Sequence, residues 1–499
     1  MKAETMKRTA AVCAMAAMVL GGATAFAAGN QEAAATAKAP VNLIWYAPGA
    51  GTFPYTDAQA VYDALNAKLA KDMGITLTLK VTGAFGQYKE TMPLAMAAGE
   101  KMDMIWTSNW SNDYLKAATD GLYEPLDDLL PKFAPTIWKD TKDVLEAARV
   151  SGKIYGVWNQ QIAAKTSNYI AREALVAKYG WKLDSVKQFS DLEPMLADVK
   201  KGEPDLIPIS TRRPTAEWAL PYLGITNVGT LGDVMGVRVE DKSCKVFSLV
   251  DDPEFLKIIN LSWDWFNKGY IAKDGMTYSN DQWGQMANGG RIAFDAHNTW
   301  VPGAEVAMAP YGQKTIRQPF GGSFVEGASI TSTLNAVSSR SANKETAVKL
   351  LEYLWTNQEA FNLLVWGIEG KHYAKLPNGM IKPDPKAGYY TNSPWVYGNV
   401  FLSYPLDGTN PESPKMTYDL NQKAKKATIM GFALKLDPIK SLVASVSAVK
   451  DQFYYPVTAG YVDPADMLPK YRAALKQAGL DQLIADTQKQ IDAWLATKK

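Results

Sequence analysis

Aromatic and amide side chains crowd together at four places in this sequence, namely residues 107–114, 158–161, 297–300 and 395–399. The CH-rich face of a sugar ring packs on an aromatic face, and amide groups supply the donors and acceptors that hydroxyl groups need. These segments therefore favour a neutral, polyhydroxylated ligand. An anionic ligand would favour converging arginines, and only Arg212 hints at this, together with its neighbour in the stretch STRRP, which we interpret as surface charge.

Two of these segments follow directly on apolar runs that have the character of strands. The stretch MDMIWTSNW (residues 102–110) ends in Trp110, and RIAFDAHNTW (residues 291–300) ends in Trp300, each after small polar residues. The recurrence of one order of residue types at two strand ends favours a binding surface over ordinary core packing. Trp106, which closes the first apolar run, is expected to face the core instead.

Other kinds of site have little support in the sequence. It contains no Walker motif, no dinucleotide fingerprint and no HExxH motif, and its two histidines, His297 and His372, are too few for a His-rich metal centre. No metal and no cofactor is expected. Nothing positively indicates catalysis, and we expect a protein that is not an enzyme. Paired carboxylates for glycoside hydrolysis remain an open alternative, because the sequence does not give their separation.

The elements that must position these residues begin with a βαβαβ pattern. VNLIWYA (residues 41–47) reads as a buried strand, Thr56 and Gln59 as a capping box for a helix that ends at Gly74, and residues 75–81 as an alternating strand. A second helix over 88–98 and the strand MDMIW follow. This order predicts a parallel sheet covered by helices, an α/β fold, whose ligands bind beyond the carboxyl ends of the strands.

Further strands and helices are predicted along the rest of the chain. Residues 152–158, 291–296 and 328–337 read as strands, and a helix with a buried face follows residue 342. Near the carboxyl end, Asp463 caps a helix that begins at Pro464, and Gly479 separates it from a last amphipathic helix. We expect both helices to dock on the body of the protein, because their polar faces mix charges of both signs.

The amino terminus predicts export. Residues 1–27 have the basic start, apolar stretch and small-residue cleavage site of a signal peptide, and residues 28–40 read as a flexible tether. The remaining chain carries equal numbers of acidic and basic residues, which argues against a nucleic-acid partner. Cys13 lies inside the signal without a lipobox, so a lipid anchor is not expected, and Cys244 alone cannot form an intramolecular disulfide.

Several segments, taken in order, resemble one known family. They are AAGEKMDMIWTSNW, SGKIYGVWNQQ, NYIAREALVAKYGW, NGGRIAFDAHNTW, LNAVSSRSANKETAVKLLEYLW, WGIEGKHY and the stretch from GFALKLDPIK to the C-terminal helices. The chain resembles the extracellular solute-binding proteins of bacterial ABC importers, in their carbohydrate-binding group and its LplA-like branch with a C-terminal module. Many members of that branch are lipoproteins, whereas this sequence has no cysteine at the cleavage site, so a freely diffusing periplasmic form is expected.

The resemblance implies two α/β lobes that close on a ligand between them. It implies that the first lobe comprises residues 41–148 and 281–337, the second comprises 149–280 and 338–430, and a helical module covers 431–499. The ligand-binding residues that it implies by position are Trp45, Tyr46, Thr107, Asn109, Trp110, Trp158, Gln161, Asn298, Trp300, Glu369 and His372. For Glu369 and His372, within GIEGKHY, a structural role remains equally open.

The implied function is capture of a neutral carbohydrate, an oligosaccharide, by a monomer that delivers it to the transmembrane subunits of an ABC permease. Two alternatives remain open. A peptide receptor of the same architecture would offer strands for backbone pairing and a charged pocket for the peptide termini. A secreted glycosidase would place two carboxylates face to face across its cleft.

Overall fold

The computed structural model describes residues 40–304 and 314–498, apart from residues 213, 229, 230 and 232. The predicted signal peptide (residues 1–27) and nearly all of the predicted tether (residues 28–40) lie outside the described residues.

Strands and helices are interspersed along the described chain. The strands are β1 (Val41–Gly49), β2 (Ile75–Ala84), β3 (Met104–Thr107), β4 (Arg149–Val150), β5 (Lys153–Ile154), β6 (Gly156–Trp158), β7 (Ala164–Arg172), β8 (Ile207–Ile209), β9 (Ile225–Asn227), β10 (Met235–Arg238), β11 (Phe247–Ser248), β12 (Ile292–Thr299), β13 (Thr315–Val325), β14 (Leu334–Val337), β15 (Tyr373–Lys375), β16 (Ile381–Pro383) and β17 (Lys425–Lys426). The helices are α1 (Ala58–Met73), α2 (Phe85–Ala97), α3 (Tyr114–Thr119), α4 (Leu129–Phe133), α5 (Pro135–Leu145), α6 (Glu173–Tyr179), α7 (Glu193–Gly202), α8 (Thr215–Ala219), α9 (Pro253–Asn267), α10 (Asn280–Asn288), α11 (Gly327–Thr331), α12 (Lys344–Thr356), α13 (Gln358–Trp366), α14 (Ser413–Lys423), α15 (Lys440–Thr458), α16 (Pro464–Gln477) and α17 (Leu480–Ala496).

The first sheet has the strand order β2-β1-β3-β14-β6. Strand β1 runs parallel to both β2 and β3, while β14 runs antiparallel to β3 and β6. Leu43, Trp45, Tyr46 and Ala47 of β1 are all buried, as expected for a central strand with helices on both faces of its sheet. The predicted βαβαβ unit is therefore confirmed, with helix α1 ending at Gly74 in a left-handed conformation of φ 67°.

The second sheet has the strand order β17-β13-β7-β12-β8 and is mixed. Its central strand β7 pairs antiparallel with both β12 and β13, whereas the edge strands β8 and β17 are parallel to their neighbours. A small antiparallel sheet, β11-β10-β9, shares the hydrophobic core of this second sheet. Helices α15, α16 and α17 pack on the second sheet, because their buried residues Val446, Leu475 and Leu483 belong to the same core as residues of β7 and β12.

Each five-stranded sheet has its own hydrophobic core, so the described chain is two-lobed. We call the first lobe the part built on the β2-β1-β3-β14-β6 sheet and the second lobe the part built on the β17-β13-β7-β12-β8 sheet. The chain passes between them through residues 159–163, residues 326–333, and residue 424 after α14. In the described residues, no helix is both long and apolar enough to cross a bilayer.

The sheets group the chain differently from the predicted lobe boundaries. Residues 281–337, predicted in the first lobe, supply β12 and β13 to the second sheet, and only β14 lies in the first. Residues 338–430, predicted in the second lobe, include α12 and α13, which pack in the first core. Residues 149–158 also belong to the first lobe through β6. Alternation along a sequence identifies a strand but does not identify the sheet that it joins.

Two local predictions also differ from the structure. The capping box of Thr56 and Gln59 is absent, because α1 begins at Ala58 and the side chain of the preceding Asp57 binds His372 and Lys371 instead. Residues 328–337, predicted as one strand, form α11 followed by the short strand β14.

The packing of α17 predicts the effect of a cavity in the second core. Leu483 is fully buried there, so Leu483→Ala should lower the free energy of unfolding by about 2–5 kcal/mol. The matched control is Leu94→Ala, because Leu94 is 70% exposed, and it should change that free energy by less than about 0.5 kcal/mol. Urea unfolding of both variants measures the difference. Equal small losses would mean that α17 does not share the core of the second lobe.

Candidate functional site

Four aromatic rings form a cluster at the carboxyl ends of the parallel strands in the first lobe. Phe85 stacks on Trp395 with ring centres 5.1 Å apart and an interplanar angle of 13°. Trp110 lies 5.3 Å from Phe85, 5.6 Å from Trp106 and 6.3 Å from Trp395. Trp106 is fully buried, whereas Trp110 is 44% exposed. We call Phe85, Trp106, Trp110 and Trp395 the aromatic platform.

Three of the four platform residues owe their places to strands of the first sheet. Phe85 is the first residue of α2, directly after β2 ends, and Trp106 lies in β3. Trp110 follows β3 by three residues, while Trp395 reaches the cluster from a one-turn 3₁₀ helix, Pro394–Val396. Exposed aromatic surface at this edge of an α/β sheet is typical of a ligand-binding surface.

The loop that carries Trp110 is fixed by hydrogen bonds to the segment between β13 and β14. The Trp110 indole Nε1 donates to the Ser332 carbonyl at 2.9 Å. The Asn109 side-chain amide donates to the Ala328 carbonyl at 2.9 Å and to the Thr331 hydroxyl at 3.0 Å. The exposed Trp110 ring is thus held in one orientation, which reduces the entropy that a ligand must overcome on binding.

A buried polar network lies behind the platform. The Thr333 hydroxyl accepts hydrogen bonds from the Trp106 indole Nε1 and the Asn159 amide, both at 2.9 Å, and donates to the Trp395 carbonyl at 2.8 Å. Asn159 also donates to the Val396 carbonyl at 2.9 Å. Because Thr333, Asn159 and Trp106 are all less than 2% exposed, these groups have no alternative water partners.

In the second lobe, the end of β12 forms a mixed polar and aromatic surface. The His297 and Trp218 rings stack with centres 4.8 Å apart. One guanidinium nitrogen of the buried Arg317 donates to the Thr299 carbonyl at 3.2 Å. Asp295 of β12 and Arg317 of β13 lie on opposite sides of Ile170 in the central strand β7. Two opposite charges therefore occupy one cross-strand row.

Beyond β12, the chain touches the first lobe. The Gly303 carbonyl accepts a hydrogen bond from the Asn410 backbone N–H at 2.7 Å. Asn410 lies shortly after Leu406, whose backbone pairs with that of Ile381, a residue of the first core. Since Gly303 lies only three residues after Trp300, this contact brings the end of β12 towards the first lobe.

An exposed apolar patch lies near this contact. Met416 and Tyr418 of α14 are 37% and 46% exposed, and Tyr418 meets Phe401 edge-to-face at 6.0 Å. A Cβ atom added at Gly303 would lie 3.3 Å from the Met416 sulfur. Phe401 lies six positions after Trp395 of the platform, so aromatic residues recur along this segment.

Several residues that the sequence predicts to bind ligand are instead buried in the core or hydrogen-bonded to other protein groups. Trp45 and Trp158 are buried in the first core, at 0% and 4% exposure. The Tyr46 hydroxyl donates to Glu100 at 2.7 Å and accepts from Lys80 at 2.6 Å. The apolar run predicted β1 correctly, but the strand continues to Gly49, so Trp45 and Tyr46 lie inside the sheet rather than at its edge.

Thr107 also serves the fold, because its hydroxyl donates to the Asn112 carbonyl at 2.6 Å and is fully buried. Gln161 is half-buried, and its backbone carbonyl accepts a hydrogen bond from the Asn421 side-chain amide at 2.8 Å. Asn298 and Trp300 are both half-buried at the end of β12. The structure therefore brings Thr107, Asn109 and Trp110 together in one lobe and places Asn298 and Trp300 in the other.

The GIEGKHY motif folds as a tight turn. His372 is fully buried; its Nδ1 accepts from the Ile368 N–H at 2.9 Å and its Nε2 lies 2.8 Å from Asp57. Gly367 has φ 83°, and a Cβ atom there would lie 2.6 Å from Nδ1, so this close approach requires glycine. Glu369 is exposed beside the turn. The motif ties the start of α1 to the segment after α13.

Hydrogen bonds from Lys371 and then His372 hold the pKa of the Asp57 carboxyl below its ordinary value. Asp57 therefore stays ionised, and the imidazole keeps the Nε2–H tautomer, because Nδ1 accepts the backbone hydrogen bond. Across the residues that the structure describes, no three His, Cys, Asp or Glu side chains gather as metal ligands.

Sequence reasoning missed Phe85 and Trp395 as parts of the site. Trp395 belongs to an aromatic and amide segment that the sequence singled out, but nothing local links it to β3, nearly 290 residues earlier. For Phe85 a usable signal existed, because the alternating pattern of β2 ends directly before it and strand ends were already the expected site.

Comparisons with known proteins agree with this architecture. Residues 428–496 match a family described as a domain of unknown function, DUF3502. A Streptococcus pneumoniae protein of serotype 4 (strain ATCC BAA-334 / TIGR4), named carbohydrate ABC transporter substrate-binding protein, is 26% identical over 453 residues, which are 87% of this chain and 87% of that relative. The predicted resemblance to solute-binding proteins is confirmed.

Solved structures share the fold at low sequence identity. The N-glycan transport solute binding protein NgtS of Streptococcus pneumoniae matches with a TM-score of 0.80 at 22% identity, over 92% of this chain and 100% of that chain. FusA of the same organism, in complex with kestose, matches with a TM-score of 0.62 at 16% identity, over 91% of this chain and 100% of that chain. The two-lobed α/β fold of the solute-binding proteins is therefore confirmed for this chain.

The contacts of Asp57 with Lys371 and His372 predict a stability that depends on pH. Because its pKa is lowered in the folded protein, Asp57 stabilises the fold above the ordinary Asp pKa of about 4, and this stabilisation is lost as the pH falls through the lowered value. Asp57→Asn should therefore lower the melting temperature at pH 7, and its difference from the wild type should shrink in acid. The control Glu369→Gln changes an exposed carboxylate in the same region and should show no such pattern. A pH-independent gap for Asp57→Asn would contradict the ionic role.

Proposed function

We propose that this protein, which has the fold and the C-terminal module of bacterial extracellular solute-binding proteins, captures a neutral oligosaccharide between its lobes and delivers it to an ABC permease. The observation that carries the proposal is the aromatic platform. Its Trp110 ring is exposed, immobilised by the bond to Ser332, and set beside two stacked rings. An immobilised aromatic face suits the CH-rich face of a pyranose or furanose ring.

The relatives support the same class of ligand. Two S. pneumoniae complexes of NgtS contain Man1GlcNAc and Man5GlcNAc, and the FusA complex contains kestose. The curated relative is named for carbohydrate transport. An oligosaccharide rather than a single sugar suits this chain, because the exposed side chains of Met416 and Tyr418 offer apolar surface outside the platform.

We assign the predicted site residues according to their surroundings. Trp110 would stack on the sugar. Asn298 and Trp300 would contact it from the end of β12, and Gln161 would contact it from the connecting segment of residues 159–163. Six of the remaining predicted residues act through the fold, because their rings are in the core or their polar atoms are engaged within the protein; they are Trp45, Tyr46, Thr107, Asn109, Trp158 and His372. Glu369 lies exposed on the GIEGKHY turn, and we assign it no ligand contact.

Delivery would follow from closure of the lobes. The segments of residues 159–163 and 326–333 join the two sheets and would act as the hinge, while the Gly303–Asn410 contact would form part of the closed interface. The permease would recognise the closed monomer, and its own ATP hydrolysis would drive transport. Export would depend on the first 27 residues, and the cleaved protein would act in the periplasm.

The peptide receptor and the glycosidase predict different behaviour with ligands. Purified mature protein should show a raised melting temperature with an oligosaccharide, because a ligand that binds only the folded state stabilises it, and no such change with short peptides. The same oligosaccharide should be recovered intact after prolonged incubation. A shift with peptides alone would indicate the peptide receptor, and cleavage products in chromatography would indicate the glycosidase.

The platform itself can be tested by removing one ring. Trp110→Ala should weaken oligosaccharide binding by at least about 1 kcal/mol, which is roughly fivefold in Kd, without unfolding the protein. The control Trp263→Ala removes a half-buried ring that stacks on Phe266 in α9 of the second lobe, and it should leave affinity unchanged. Isothermal calorimetry measures both. Equal affinities for Trp110→Ala and the wild type would remove the platform from the site.

A further inference from the structure

The Thr333 hydroxyl is a junction of four chain segments. It accepts hydrogen bonds from Trp106 in β3 and from Asn159 after β6, and it donates one to the Trp395 carbonyl. Thr333 itself is the last residue of the segment 326–333 that leads from β13 to β14. A hydroxyl has one donor and two acceptor sites, so these three bonds satisfy it completely. Two of its partners, Trp106 and Trp395, are members of the aromatic platform.

The bonds around this junction extend to two of the three chain segments that connect the lobes. The Asn159 backbone N–H donates to the Thr333 carbonyl at 3.1 Å, so residues 159–163 and 326–333 are joined at the point where they leave the first lobe. Asn335 of β14 donates to the Asn159 side-chain oxygen at 2.8 Å and to the Val396 carbonyl at 3.1 Å. One connected set of hydrogen bonds therefore contacts the platform and the first-lobe ends of two of the three connections to the second lobe.

This junction cannot easily exchange its partners for water. Thr333, Asn159 and Asn335 are all less than 2% exposed. In such surroundings a lost partner leaves a polar group unsatisfied, and the side chains that depended on it move to recover a bond. A change at the junction should therefore be transmitted to the Trp106 ring and to the Trp395 backbone.

We propose that Thr333 is a positioning residue for carbohydrate binding: its hydroxyl sets the geometry of the aromatic platform and couples that geometry to two of the three chain segments that connect the lobes, residues 159–163 and 326–333. This inference rests on the proposed function for its effect on affinity, but its effect on ring geometry does not depend on any ligand. Thr333 itself is buried behind the rings and would not touch the sugar.

Thr333→Val tests the role of the hydroxyl, because valine keeps the shape of threonine and removes both donor and acceptor. Near-ultraviolet circular dichroism of the ligand-free protein reports the surroundings of the tryptophan rings. We expect an altered tryptophan spectrum and a Kd for oligosaccharide that rises by roughly fivefold or more, while Thr333→Ser, which keeps the hydroxyl, stays within about twofold of the wild type.

A matched control separates positioning from general destabilisation. Thr141 is also fully buried, and its hydroxyl donates to the Ile137 carbonyl within α5, away from the platform. Thr141→Val should lower the melting temperature but leave the tryptophan spectrum and the Kd unchanged. If Thr333→Val matched Thr141→Val in spectrum and affinity, Thr333 would be only a structural residue and the proposal would be overturned.

A second variant approaches the same bond from its other end, in case Thr333→Val does not fold. Trp106→Phe keeps an aromatic ring but removes the indole N–H that Thr333 accepts, so it should also raise the Kd, and unchanged affinity would count against the proposal. If the wild type bound no carbohydrate, the proposed function would fail, and the spectra of Thr333→Val, Thr333→Ser and Thr141→Val would still decide the positioning role.

Discussion

The hydrogen bonds of the Thr333 hydroxyl are the constraint on which the proposed site depends. A flat aromatic surface is useful to a sugar only if its rings are held still, and here one buried hydroxyl holds an indole nitrogen, an amide and a backbone carbonyl at 2.8–2.9 Å. The three partners come from parts of the chain that are far apart in sequence. The same bonds secure the point where two chain segments leave the first lobe, so the surface for the ligand and the connection between lobes share one support.

Much of the fold follows from local pattern. The continuous apolar run of β1, the alternation of β2 and the glycine after α1 each specify an element through its own residues, and all three are found where the pattern places them. Asp463 and Gly479 likewise delimit the C-terminal helices α16 and α17. Trp110 could be placed at the edge of the sheet for the same reason, because its position depends only on where β3 ends.

The remainder depends on contacts that no local pattern contains. The sequence of β12 predicts a strand, but its pairing with β7 in the second sheet is a choice between two available sheets. Trp395 joins the platform through a carbonyl bond to Thr333, and residues so distant cannot be paired from composition. His372 looked like a possible ligand group and proved to be a buried partner of Asp57, since a lone histidine has the same appearance in either role.

A crystal structure of the protein with an oligosaccharide would show directly whether the sugar binds on the aromatic platform between the lobes. We expect a sugar ring lying parallel to the exposed face of Trp110, with Thr333 behind the rings and out of contact with the ligand. A well-ordered oligosaccharide bound elsewhere, with the Trp110 face still open to solvent, would contradict this expectation.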